Sequence, residues 1–138
     1  MHTSHPPRAL DILVVDDHRE TADALVWLLG TLGHKARPAY DGVSALQCVS
    51  ARPPDLIIQD IHMPHMSGYE IARRLREGDA AKHVLLVAVT GFPKANTTEL
   101  TQEAGFDGLL LKPLGLPVLE QLLAKVATHR TGARPGLQ

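Results

Sequence analysis

The chain has 138 residues, 44% of them hydrophobic and 21% charged, with a formal net charge of −1. That fits one globular domain and gives no electrostatic reason to expect nucleic acid or a membrane surface as a partner. A single cysteine, Cys48, excludes an internal disulfide framework and suits a reducing cytoplasm, while no apolar run is long enough to span a bilayer.

Residues 1–9, with Pro6, Pro7 and Arg8, lack the apolar stretch of a signal peptide and read as a flexible tail, as do residues 129–138. Ordered structure is expected over 10–128. Ile12-Leu13-Val14-Val15 is continuously apolar, the mark of a strand covered on both faces, and ends at Asp16-Asp17. Arg19 to Leu32 predicts a helix with Ala22, Leu25, Val26 and Leu29 on one face, Trp27 alternating with that stripe and either packed along the helix or partly exposed, and Gly33 as the stop. His34 to Tyr40 predicts a poor strand. Its Pro38 cannot donate to an interior ladder, so the strand belongs at a sheet edge. Asp41-Gly42 turns into a second helix that buries Ala45, Leu46 and Val49, with Cys48 as a small buried hydrophobe.

Leu56-Ile57-Ile58-Gln59 forms the next strand and runs into Asp60. Gln59, a polar amide inside that strand, is expected to be satisfied by nearby backbone or water. Ser67 and Glu70 predict a capping box for a third helix, with Ile71 and Leu75 inward and Arg73, Arg74 and Arg76 toward water. The run from Val84 to Val89 ends at Thr90. Pro93 predicts the first turn of a fourth helix, closed by Gly105 and carrying a thin apolar stripe of Leu100 and Ala104. Leu109-Leu110-Leu111 ends at Lys112, and a last helix from near Pro117 buries Val118, Leu119, Leu122, Leu123 and Val126. Strict alternation of strand and helix specifies a doubly wound α/β fold, a flavodoxin-like five-stranded parallel sheet in the order 2-1-3-4-5.

In such a sheet the strand ends share one edge, and ligands bind where the strand order reverses. Asp16, Asp17 and Asp60 emerge at that point, and Thr90 and Lys112 end the neighbouring strands. Three converging carboxylates need a cation or a raised pKa. A hard ion such as Mg²⁺, or Mn²⁺ in its place, meets that need, and the backbone carbonyl of His62 offers another oxygen. Asp60 is then a candidate nucleophile for a phosphoryl group, with Lys112 and the Thr90 hydroxyl on its oxygens and Gly91 leaving room beside Thr90. His62 and His65 stand three apart, but no cysteine or glutamate nearby completes a tetrahedral set. Met63 and Met66 read as loop packing.

Val14-Val15-Asp16-Asp17, Asp60-Ile61-His62-Met63-Pro64, Ser67-Gly68-Tyr69-Glu70, Thr90-Gly91 and Lys112-Pro113 stand in one order over residues 10 to 127. In that order and spacing they resemble the response-regulator receiver (CheY-like) domains of bacterial two-component signalling. The resemblance implies that Asp60 accepts a phosphoryl group from phosphohistidine on a histidine kinase or histidine phosphotransfer protein. It implies Mg²⁺ held by Asp16, Asp17, Asp60 and the His62 carbonyl, and a cis bond at Lys112-Pro113. It also implies movement of Thr90 and the fourth helix on phosphorylation, in a monomer or a weak phosphorylation-dependent dimer. Such a protein promotes its own phosphorylation and dephosphorylation and is not a turnover enzyme. Leu109 stands where the family usually carries an aromatic switch residue, so that ring flip is absent here. His62 and Phe92 occupy the two positions that set phosphoryl lifetime, and apolar Phe92 predicts slow hydrolysis. Only a short tail follows the last helix, which favours a single-domain regulator. The alternatives are the receiver of a hybrid sensor kinase, a pseudo-receiver that acts without phosphorylation, and an aspartate-nucleophile phosphatase. The phosphatase is disfavoured because its D-x-D spacing and cap domain are missing.

Overall fold

Strands apolar at every position need cover on both faces, and the computed structural model, which describes residues 9–129, supplies it. The strands are β1 (Asp11–Val15), β2 (Lys35–Ala39), β3 (Leu56–Asp60), β4 (Leu85–Thr90) and β5 (Gly108–Leu111). The helices are α1 (Arg19–Thr31), α2 (Gly42–Ala51), α3 (Gly68–Glu77), α4 (Thr97–Ala104) and α5 (Leu116–His129). All strand pairs are parallel and the order is β2-β1-β3-β4-β5, as the alternation predicts. β2, with Pro38, is an edge. The expected tails fall almost wholly outside the described residues.

Period-two alternation splits the core into two layers. Leu13, Val15, Ile57, Leu86 and Ala88 pack with Ala45, Val49, Ile71, Leu75 and Ala104 from α2, α3 and α4. Ile12, Val14, Ile58, Val87 and Val89 pack with Ala22 and Leu29 of α1 and Leu119, Leu122 and Val126 of α5. Each fully buried aliphatic side chain contributes about 1.5–3 kcal/mol, so the sheet is held from both sides. Leu46 and Val118, expected inside, are only half-buried.

Four expectations need correction. Arg76 does not face water. Its guanidinium bonds the carbonyls of Gly105, Ala81 and Val84 at 2.8–2.9 Å and the Asp107 carboxylate at 2.9 Å, closing the ends of α3, α4 and β4 together. α4 starts at Thr97 rather than Pro93, because Lys94 N–H donates to Thr97 Oγ1 and Thr97 N–H donates to the Lys94 carbonyl, making a separate turn. Its buried stripe is Thr97, Thr101 and Ala104, with Leu100 only half-buried. The capping box is one-sided: Ser67 Oγ accepts from Glu70 N–H, but the Glu70 carboxylate pairs with Arg74 at 2.8 Å. Of the two readings of Trp27, exposure holds, since it is 70% exposed.

Candidate functional site

Each site residue is delivered by a strand end. β1 hands over Asp16 and Asp17, β3 Asp60, β4 Thr90, and β5 is followed by Lys112. Asp16 and Asp60 are buried carboxylates, 5% and 6% exposed. Lys112 stands between them, its Nζ 3.3 Å from Asp16 Oδ2 and 3.7 Å from Asp60 Oδ2. The Lys112–Pro113 bond is cis. The structure therefore joins Asp16, Asp60 and Lys112, residues separated by up to 96 positions, in one contact group.

Burial pushes the Asp60 carboxyl above the usual carboxylate range. Lys112 pulls it back, Asp16 adds to the rise, the His62 N–H lowers it, and Asp17 adds a further push upward. That N–H donates to Asp60 Oδ1 at 3.3 Å, while the His62 side chain is exposed. Gly68 lets α3 approach this strand end: a Cβ there would lie 2.5 Å from the Asp60 carbonyl oxygen and 2.7 Å from Ile61 Cα. Lys112 meets Asp16 and Asp60, and with Asp17 beside them the three carboxylates carry more negative charge than one ammonium balances. Asp17 Oδ1 is shielded from solvent yet has no hydrogen-bond partner among the described residues. Both observations fit a bound divalent cation.

Thr90 is fully buried, and its Oγ1 accepts from Phe92 N–H at 3.1 Å. It does not line the cavity that holds Asp16, Asp60 and Lys112. Gly91 and Phe92 do line it, and Phe92 is 79% exposed. A Cβ on Gly91 would touch Lys112 Cβ at an ordinary 3.8 Å. The cavity measures about 740 Å³ and runs from the carboxylates along Ala24, Leu25 and Leu28 of α1 to Leu114. Leu109 is half-buried against the α2–α4 layer and borders a smaller cavity of about 200 Å³ with Thr98, Thr101 and Phe106. Gln59 Nε2 donates to the Asp60 carbonyl at 2.9 Å, as expected, but its Oε1 is unpaired among the described residues. Met63 and Met66 pack on the core as loop residues, and Cys48 is half-buried there.

Sequence reasoning passed over His18. Among the described residues, Asp16, Asp17 and His18 form the group whose candidate metal-ligand atoms lie within 4.8 Å of one another. The available signal was its place directly after the two aspartates.

Residues 12–124 match the family model described as response regulator receiver domain. The chain is 40% identical over 116 residues to the sensor histidine kinase RcsC of Salmonella typhimurium, covering 84% of this chain and 12% of that protein. It is 38% identical over 120 residues to the sensor protein EvgS of Escherichia coli K12, covering 87% of this chain and 10% of that protein. The chain thus spans about an eighth or less of the length of these curated relatives. Chemotaxis protein CheY4 of Vibrio cholerae superposes with a TM-score of 0.81 at 26% identity, over 86% of this chain and 99% of that one. The signal receiver domain of a signal transduction histidine kinase from Syntrophus aciditrophicus gives 0.81 at 26% identity, over 91% and 95%.

Proposed function

The chain belongs to the response regulator receiver family, and on that premise we propose that it is a phosphoacceptor of two-component signalling in which Asp60 is phosphorylated from a phosphohistidine. The observation that carries this reading is a buried Asp60 whose Oδ2 stands 3.7 Å from the Lys112 ammonium at the floor of an open cavity. An Asp60 oxygen attacks phosphorus, the phosphorus–nitrogen bond of the donor breaks, and its electron pair returns to the imidazole. Lys112 neutralises an oxygen of the transferring group as a point charge. The His62 N–H holds the nucleophile in place through Oδ1. Receiver domains generally bind Mg²⁺; here Asp16, Asp17, Asp60 and the His62 carbonyl would hold it, or Mn²⁺. When bound, the ion neutralises the carboxylates and an equatorial phosphoryl oxygen.

Thr90 Oγ1 accepts from Phe92 N–H, and its O–H is left to donate to a phosphoryl oxygen; because Thr90 does not line the cavity, turning toward it carries the Phe92 backbone along or breaks that bond. The residue 91–96 segment and the start of α4 then follow. Every residue of that segment is exposed and Asn96 makes no side-chain cap, while the Lys94–Thr97 turn ties the segment to the start of α4 so that the two move together. With Leu109 in place of an aromatic ring, coupling runs through Thr90 and the backbone. Partners on this reading are a histidine kinase or histidine phosphotransfer protein and a downstream protein, with no nucleic acid or membrane. The proposed location is the cytoplasm, and no described helix is long and apolar enough to cross a membrane. The protein acts on itself rather than turning over a substrate. Likeness over 99% of the Vibrio cholerae CheY4 chain supports a single-domain regulator, while likeness to an eighth of RcsC supports a receiver segment within a sensor kinase. The test is fluorine NMR with beryllofluoride: bound resonances that need Mg²⁺ and vanish in Asp60→Asn support the reading, and their absence in the parent chain overturns it.

A further inference from the structure

Helices favour Ser, Thr, Asp or Asn at the N-cap. Here α1 is preceded by His18, whose side chain makes no capping hydrogen bond. Its Nδ1 lies instead 3.7 Å from Asp16 Oδ1 and 3.8 Å from Asp17 Oδ1. Both distances exceed hydrogen-bond length, and Asp17 Oδ1 is the solvent-shielded oxygen that lacks a partner among the described residues. Asp16 divides its carboxylate between two sides: Oδ2 meets Lys112, and Oδ1 accepts from the His18 backbone N–H at 3.0 Å, with the imidazole beside it. An ion with octahedral bonds of about 2.1 Å sets neighbouring ligand atoms about 3.0 Å apart and opposite ones about 4.2 Å apart. The observed 3.7 and 3.8 Å match neither, so ligation requires the imidazole to turn. The imidazole is 76% exposed, so it can rotate toward an ion held by the two carboxylates without disturbing the core.

We infer that His18 Nδ1 is an additional ligand of the divalent site and shifts its preference from Mg²⁺ toward ions that accept nitrogen, Mn²⁺ and more strongly Co²⁺. An imidazole nitrogen adds little for a hard ion that prefers oxygen and retains water, and more for each ion along the first transition row. The inference rests on the reading of the acidic cluster as a divalent-cation site.

The test uses the full chain and its His18→Ala and His18→Asn variants, with Mg²⁺, Co²⁺ and Mn²⁺ added singly. Calorimetry gives the two affinities for Mg²⁺ and Co²⁺, and electron spin echo modulation of bound Mn²⁺ reports directly coordinated nitrogen. Asn introduces a capping side chain and supplies oxygen in place of nitrogen, so the two variants together separate ligation from helix capping. The expected result is a nitrogen modulation in the parent that disappears in both variants. The Co²⁺-to-Mg²⁺ affinity ratio falls about tenfold, the scale at which ligand support acts, while Mg²⁺ affinity moves less than about twofold. Nitrogen modulation that survives in His18→Ala, or an unchanged ratio while Mg²⁺ still binds, overturns the role of His18 alone. A parent chain that binds no divalent ion overturns the metal reading beneath it, and the inference with it.

Discussion

Replacing Arg76 with methionine removes one 19%-exposed guanidinium from three carbonyls and from Asp107, whose side chain is 7% exposed. Methionine keeps much of the stem's packing, so the loss is chiefly polar. Breaking a buried ion pair from one side costs about 3–5 kcal/mol, because the remaining charge stays desolvated. Asp107 keeps its bond from Leu86 N–H at 2.9 Å, which points to the lower half of that range. For a chain of this size about 3 kcal/mol lowers the melting temperature by roughly 10 °C. Urea unfolding followed by far-ultraviolet circular dichroism at 25 °C measures it, with Arg76→Met/Asp107→Asn closing a double-mutant cycle. The double variant is expected to lose about 1–3 kcal/mol less than the summed single losses. A single-variant loss under about 1 kcal/mol, the size of an exposed pair, would refute the clamp.

Asp60→Asn is expected to raise the melting temperature at neutral pH. The folded Asp60 carboxyl titrates above its unfolded value, so its ionisation weakens the fold at neutral pH and the penalty lifts as pH falls through the raised value. The gain from asparagine therefore shrinks toward acid, and a gain that grows there contradicts the electrostatics. Gly68→Ala places a methyl against backbone at 2.5–2.7 Å and is expected to cost about 1–3 kcal/mol in urea unfolding. Gly42→Ala meets mainly the flexible Met66 side chain and costs less, so equal losses would count against the distinction. Phe92→Glu puts a water-positioning carboxylate beside the site and is expected to shorten the phospho-Asp60 half-life about tenfold; an unaltered half-life removes the shielding role.

The sheet order and the ends of its strands were legible because they rest on local signals: unbroken apolar runs, one edge proline and single residues that stop each run. Arg76 was not legible, since its partners at 81, 84, 105 and 107 belong to other elements and helix periodicity alone places it beside water. Proline at 93 is a fair helix-start signal, but the Lys94–Thr97 turn overrides it locally. The site's carboxylates and Lys112 were readable from position, whereas the Thr90 hydroxyl's bond to Phe92 N–H and the approach of His18 to Asp17 depend on loop geometry.

The most direct test of Asp60 as phosphoacceptor is intact mass after incubation with acetyl phosphate, with and without Mg²⁺, beside Asp60→Asn. One added phosphoryl group that requires Mg²⁺ and is absent from the variant is the expected result. An adduct that forms equally on Asp60→Asn, or none on the parent chain under conditions where beryllofluoride also fails to bind, would contradict it.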